Sequence, residues 1–368
     1  MSETGEIPIT RRPHHVAPAL AGVRVVLAIK NFAAIAGVCH IGLGVTAANT
    51  MRVLRRAGVQ CEAWSAQTAA ELHKKISADE RRNPARPVTH VVISAPSWVQ
   101  PQSFCDFSQR WPDIEFVQLN HSGTSYLSID KYGIKNIREV PCLGLALHNV
   151  RVAGNNPRFV KWMADALGAP ALYLPNLYDP QTFVEPVPQR RDYDPLRIGS
   201  FGAGRPWKNL LTAAQSAVQM ARRLNVGLEL YVNTMRPDGG QRQIESRGEL
   251  FDGLPRAKLI EVPWALWPNF RKTVATMDLL SSPSFDETFN VVTADGIAEG
   301  VPSIVTPAME WTPPSWWCEP WDPSSATRVG MGLLHDRVGA IHDARRGLAA
   351  FVAAGTQIWI RYLTGEGR

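Results

Sequence analysis

One stretch constrains this chain more than any other. It runs Ser281-Ser282-Pro283-Ser284-Phe285-Asp286-Glu287-Thr288-Phe289-Asn290 and continues through Asp295 and Glu299 to Gly300-Val301-Pro302-Ser303-Ile304-Val305. The apolar run before it, 277–280, ends in small and polar residues. A helical pattern follows, then Gly-Val-Pro and a second apolar run. That order reads as strand, loop, helix, turn and strand, a βαβ unit whose loop carries acids. Glu287 stands just before the helix, and Asp295 lies about two turns further on along the same face. Backbone N–H groups at the helix start face out of the helix, and the dipole there favours an anion, so the loop is a candidate nucleotide-phosphate site. An acid in this place also serves as a plain cap or dipole partner. The length of the pattern, more than Glu287 alone, favours the phosphate site.

The pattern resembles the C-terminal signature of retaining GT-B glycosyltransferases, most like family 4, where it reads Pro-Ser-x-x-Glu-x-Phe-Gly, then Glu, Ala and Gly-x-Pro. Asn290 stands in place of the usual Gly, and Asp295 in place of the second Glu. Asn tolerates left-handed backbone angles better than most residues. Asp keeps the charge but is one methylene shorter, which reduces its reach toward a ribose diol. The resemblance implies two Rossmann-like, doubly wound α/β domains around a cleft, with a final helix crossing back to the first. It also implies transfer of a sugar, a hexose by expectation, from a nucleotide-diphosphate sugar with retention and without a metal. UDP-sugar is the expected donor, and no other cofactor is implied. Glu287 would hold the sugar and Asp295 the ribose. Arg205, Lys208 and the N–H groups near Phe289 and Asn290 would hold the diphosphate. No residue stands out as a covalent nucleophile, so front-face transfer assisted by the leaving phosphate is the expected route.

At 368 residues the chain exceeds the size one core usually serves. The expected division is a loose arm (1–21), an acceptor-side domain (22–178), a Pro-rich linker (179–195), a nucleotide-sugar domain (196–335) and a closing helix (336–368). Strands are expected at 22–30, 59–65, 89–95, 114–120, 142–147 and 170–175, then at 196–201, 228–232 and 258–262. Helical patterns alternate with them at 46–56, 67–80, 101–111, 156–167, 207–224 and 240–252, which points to parallel doubly wound sheets. Residues 309–330 carry many Trp and Pro and no clear period. The five cysteines are dispersed without metal spacing, and no apolar run is long enough to span a membrane. Free thiols and the polar N-terminus favour a cytoplasmic location.

Other motifs add candidates. Gly42-Leu-Gly44-Val-Thr-Ala47 fits a dinucleotide-binding fingerprint, with Glu62 near the place of a ribose acid, so a nicotinamide-dependent dehydrogenase is an alternative. The glycines stand far from the strand ending at Lys30, where the fingerprint wants them adjacent. In the resembled family such a turn lets backbone approach donor and acceptor. Arg205 and Lys208, in Gly202-Ala-Gly-Arg-Pro-Trp-Lys-Asn209, place cations and glycines at a strand–helix junction suited to a diphosphate. His121 follows an apolar strand, at the edge where open α/β sheets bind ligands, and related enzymes have a His there that touches the sugar. His148 competes for that role. Trp311, Trp316, Trp317 and Trp321, with Trp264 and Trp267, read first as packing.

Residues 1–180 hold 19 Lys/Arg against 13 Asp/Glu, and the remainder is balanced at 20 each. Arg55 and Arg56 lead the acceptor-side clusters. This surplus favours a polyanionic acceptor: a hydroxymethylpyrimidine in DNA, or else a lipid-linked or polysaccharide acceptor at an anionic surface. A sugar-nucleotide binder without activity is a further alternative.

Overall fold

The computed structural model describes residues 20–30, 41–95, 98–121, 123–130, 132–186, 193–233 and 235–366. Most of the expected N-terminal arm, part of the linker and the residues just after Lys30 lie outside these.

Two parallel sheets carry the fold. The first takes β1 (Arg24–Lys30), β2 (Gln60–Ala66), β3 (His90–Ser94), β4 (Glu115–Asn120), β5 (Val150–Gly154) and β6 (Leu172–Tyr173), in the order β2-β1-β3-β4-β5-β6. Its helices are α1 (Ile41–Arg56), α2 (Ala69–Arg82), α3 (Pro101–Arg110), α4 (Gly133–Ala146) and α5 (Pro157–Leu167). The second sheet takes β7 (Leu196–Ser200), β8 (Leu228–Val232), β9 (Ala257–Glu261), β10 (Leu279–Ser281) and β11 (Ser303–Ile304), in the order β11-β10-β7-β8-β9. Around it lie α6 (Leu210–Leu224), α7 (Gln241–Phe251), α8 (Trp267–Ala275), α9 (Val291–Ala298) and α10 (Pro323–His335). Near-continuous burial of β1, β3, β4 and β7 is what a parallel sheet covered on both faces demands.

Strand order locates the ligand sites. Each sheet reverses direction at a switch point, between β1 and β3 in the first and between β7 and β10 in the second, and open α/β sheets bind ligands outside the strand C-termini at such points. The loop after β7 carries Arg205 and Lys208, and the loop after β10 carries Glu287.

One expected strand is a helix. Residues 142–146 belong to α4, with Leu147 as its C-cap, and the buried Asn136, Ile137, Val140 and Pro141 follow helical spacing. A short apolar run cannot distinguish a strand from a buried helical face, and the sheet position went to β5 instead. The aperiodic segment after 309 contains α10, capped by the Asp322 side chain on Ser324 N–H.

The closing helix, α11 (Arg337–Leu363), is about 40 Å long at 1.5 Å per residue. Its first half packs Ile341, Ala344 and Leu348 into the second-sheet core, and its end buries Trp359, Tyr362 and Leu363 with Val25, Leu27 and Val117 of the first. Trp359 Nε1 donates to Pro175 O (2.9 Å), and Tyr362 Oη donates to Glu115 Oε1 (2.6 Å). The helix therefore belongs to both lobes. No helix among the described residues is long and apolar enough to cross a membrane.

Candidate active site

A cavity of about 310 Å³ opens between the lobes at the C-terminal ends of both sheets. It gathers His121 from the first lobe with Arg205, Lys208, Glu287, Phe289, Asn290 and Asp295 from the second.

The acidic loop has a defined local cause. Asn290 sits at φ +60° as the N-cap of α9, and its Oδ1 accepts from Thr293 N (3.1 Å). The left-handed angle is why Gly or Asn is wanted here. Its Nδ2 donates to Ser282 Oγ (2.9 Å) and to Glu287 Oε2 (3.3 Å), which fixes the loop against β10. Glu287 forms a close ion pair with Lys208, and both side chains are nearly buried. Phe289 is buried against Trp311, Phe351 and Tyr178, and its carbonyl accepts from Trp311 Nε1 (2.8 Å). Its ring is core, so only its backbone is available to a ligand.

Asp295 has a different environment from the one its pattern implies. It is 1% exposed, and one oxygen, Oδ1, accepts from both Tyr178 Oη (2.6 Å) and Trp267 Nε1 (2.9 Å). Burial pushes its carboxyl up to about 7, against the lowering effect of those two bonds. Only Oδ2 is left for a ligand hydroxyl.

His121 follows β4, and burial pushes its imidazole down to about 4, against the raising effect of the Asn176 side chain. It is neutral at pH 7. Asn155 Nδ2 approaches its Nδ1 (3.5 Å), and its Nε2 is a buried atom without a hydrogen-bond partner among the described residues. The residue lines the cavity.

The second lobe supplies a cluster that sequence reading only half found. Arg205 lies over the Tyr126 ring (4.9 Å) and pairs with Asp238 (3.4 Å). Arg236, unmarked in the sequence, pairs with the same Asp238 oxygen (2.9 Å) and lies over Trp264 (5.6 Å). Trp264 and Trp267 line the cavity, whereas Trp311 and Trp316 are core and Trp321 is 71% exposed. The cue for Arg236 was its place after β8, beside Asn233, whose Oδ1 accepts from Gly202 N (3.3 Å).

The acidic loop also joins the lobes. Asn156 Nδ2 donates to Glu287 O (3.1 Å), Asn155 Nδ2 to Thr288 Oγ1 (3.4 Å) and Thr288 Oγ1 to His121 O (3.2 Å). Asp286 Oδ2 accepts from Ser125 N (3.1 Å). Asp286, Asn155 and Asn156 were not marked by sequence. Asn156 also caps α5, its Oδ1 accepting from Arg158 N (2.8 Å) ahead of the Pro157 start.

Five expected residues fall elsewhere, and a sixth departs from its pattern. His148 is exposed before β5, at the opposite edge of the sheet from the cleft, and its Nε2 donates to Pro112 O (3.2 Å). It was displaced because the run before it is helical. Arg55 and Arg56 end α1, about 20 Å along the helix from Gly42 at its mouth-side start. Arg55 Nε donates to Cys61 O (2.7 Å), and Arg56 joins Arg52 on buried Asp179. They hold the fold and do not face the cavity. Gly44 lies within the first turns of α1 and does not line the cavity; Gly42 does, but within the helix. Neither forms the strand–helix turn of a dinucleotide site. Glu62 is engaged by Arg24 (2.7 Å) and by Trp64 Nε1 (3.1 Å). The dehydrogenase alternative loses both of its elements.

No family profile matches the chain, and no curated protein sequence does. Solved structures do. The catalytic domain of starch synthase IV from Arabidopsis thaliana, bound to ADP and acarbose, superposes with TM-score 0.64 at 10% identity, over 94% of this chain and 100% of that one. Trehalose-6-phosphate synthase OtsA gives 0.62 at 10% identity, over 92% and 98%. Anabaena HepE, in complex with UDP and glucose, gives 0.59 at 14%, over 93% and 100%. This chain has the GT-B fold. Within that fold, the cavity lies in the cleft between the two Rossmann-like lobes.

Proposed function

We propose that the chain is a retaining glycosyltransferase that takes its sugar from a nucleotide diphosphate, UDP by preference. The observation that carries this reading is the convergence at the β7/β10 switch point. There Arg205, Arg236, the Lys208–Glu287 pair and the start of α9 share one cavity with His121. The ADP bound to starch synthase IV and the UDP and glucose bound to HepE, proteins of the same fold, support this reading.

In this reading the diphosphate lies against Lys208, Arg205 and the backbone N–H groups at the start of α9, whose dipole favours the charge that grows on the leaving group. Glu287 turns from Lys208 toward a sugar hydroxyl once the phosphate takes over the cation. Asp295 holds a ribose hydroxyl through Oδ2. Neutral His121 lies beside the sugar on the first-lobe side. The acceptor hydroxyl comes from the first-lobe side, and its proton passes to the departing phosphate oxygen as the new glycosidic bond forms on the same face. The cross-lobe hydrogen bonds of the acidic loop close the cleft and exclude water. The family-4-like spacing of Glu287 and Asp295 favours this assignment.

Replacing Glu287 by Gln tests it. Turnover of the productive UDP-sugar should fall by about 10²-fold or more while UDP affinity is kept. Turnover at the parental rate would remove Glu287 from the mechanism.

A further inference from the structure

The acceptor half of the cavity has its own chemistry, and it differs from that of the lobe surface. All the Lys and Arg side chains among the described lining residues, Arg205, Lys208 and Arg236, come from the second lobe. Each is already matched by an acid: Lys208 by Glu287, and the two arginines by Asp238. The first-lobe wall contributes no cation among the described residues. Its ionisable imidazole, His121, is neutral. What it does contribute is a carboxylate, Asp130, with Asn120, Asn136, Asn176, Thr46 and Tyr126.

We infer that the acceptor is an uncharged, polyhydroxylated compound, a neutral sugar unit, bound through hydroxyls by the first-lobe amides and Asp130. This deepens the glycosyltransferase reading and rests on it. Amides donate and accept at once, which matches neighbouring hydroxyls, and a carboxylate only accepts, which matches a hydroxyl and opposes a phosphate. A phosphorylated acceptor would bring about −1.5 to −2 charges beside Asp130 with no first-lobe cation among the described lining residues to meet them. Within the cleft that repulsion is screened less than between charges on an open surface. A base flipped out of DNA fits less well. Stacking wants an open aromatic face, and Tyr126 has Arg205 over its ring (4.9 Å) and Trp207 edge-on (6.0 Å). The cations of the first lobe do not alter this. Arg24 is bound by Glu62 and Asp79, and Arg52 and Arg56 by Asp179; none of the three lines the cavity, though Arg52 lies behind it over the Trp267 ring (5.3 Å).

The test is a paired panel on the full chain loaded with UDP. Glucose, fructose and galactose are each compared with their 6-phosphates by saturation-transfer NMR and calorimetry, alongside duplex DNA containing 5-hydroxymethylcytosine. In every pair that binds, the neutral sugar should bind at least tenfold tighter, and Asp130→Asn should narrow that ratio toward one. Tighter binding of a phosphorylated member, cleft occupancy by the DNA, or no binding by any member would overturn the inference. Loss of UDP binding itself would overturn the donor reading instead, so the two failures are distinct.

Discussion

At the level of single residues, Asp295 shows what a sequence pattern conveys and what it leaves out. Its spacing from Glu287 placed it on the correct helical face, and it does line the cavity. Its burial beneath Tyr178 and Trp267 depends on residues far away in the chain, so no local pattern could reveal it. The consequence is a pH effect with a defined sign. A carboxyl raised from 3.8 to about 7 keeps its proton in the folded protein where the unfolded chain has lost it. Its contribution to stability is therefore complete below pH 3.8 and is lost as pH rises through about 7. Relative to an Asp295→Asn variant, the parental protein should lose stability across this window and run parallel above it. Chemical denaturation of both proteins from pH 4 to 8 measures the difference, and a constant offset would contradict the burial account. His148 is the opposite lesson: a histidine in a correct-looking setting, misplaced because its preceding run was read with the wrong period.

At the level of elements, α9 is the part most fully written in the sequence. The left-handed tendency of Asn290, the acid before the helix and the turn at Gly300, at φ +72°, were visible as local chemistry, whereas the cap bond from Asn290 to Thr293 was not. Asn290→Ala should remove the cap bond and strain the left-handed angle, costing about 0.5–2 kcal/mol for the cap and about 1–2 kcal/mol for the angle. Asn290→Gly should keep the angle and cost only a few tenths of a kcal/mol, roughly, for the cap. Equal losses in urea melts would show that the angle is not what selects Asn here. Helix α1 was less legible. Its glycines imitate a fingerprint, but they stand inside the helix, and Arg52 and Arg56 bind Asp179 in the segment between the sheets. A charge surplus read from sequence does not reveal how much of it is already paired within the fold.

At the level of the whole molecule, alternating strands and helices announced two parallel sheets, and the strand order then fixed where a ligand lies. The contact between lobes was not legible, because it joins loops more than 100 residues apart. Gly123 illustrates it: a Cβ there would stand 2.2 Å from Asp286 Oδ2, the atom that accepts from Ser125 N. Gly123→Ala must swing that carboxylate away, so it should impair turnover to about the same degree as Asp286→Ala. The double variant should add little, with a coupling on the order of 0.5–3 kcal/mol in a double-mutant cycle. Additive losses would mean that Gly123 acts elsewhere.

The account stands on a cleft that grips a nucleotide diphosphate through the second lobe. Calorimetric titration of UDP into the parental chain and into Lys208→Ala tests this most directly. The parental chain should bind one UDP in the cleft, and the variant should bind at least about tenfold more weakly, as expected for the loss of a charge-assisted contact worth about 1.5–3 kcal/mol. Equal affinity in the two proteins, or no binding by the parental chain, would contradict it.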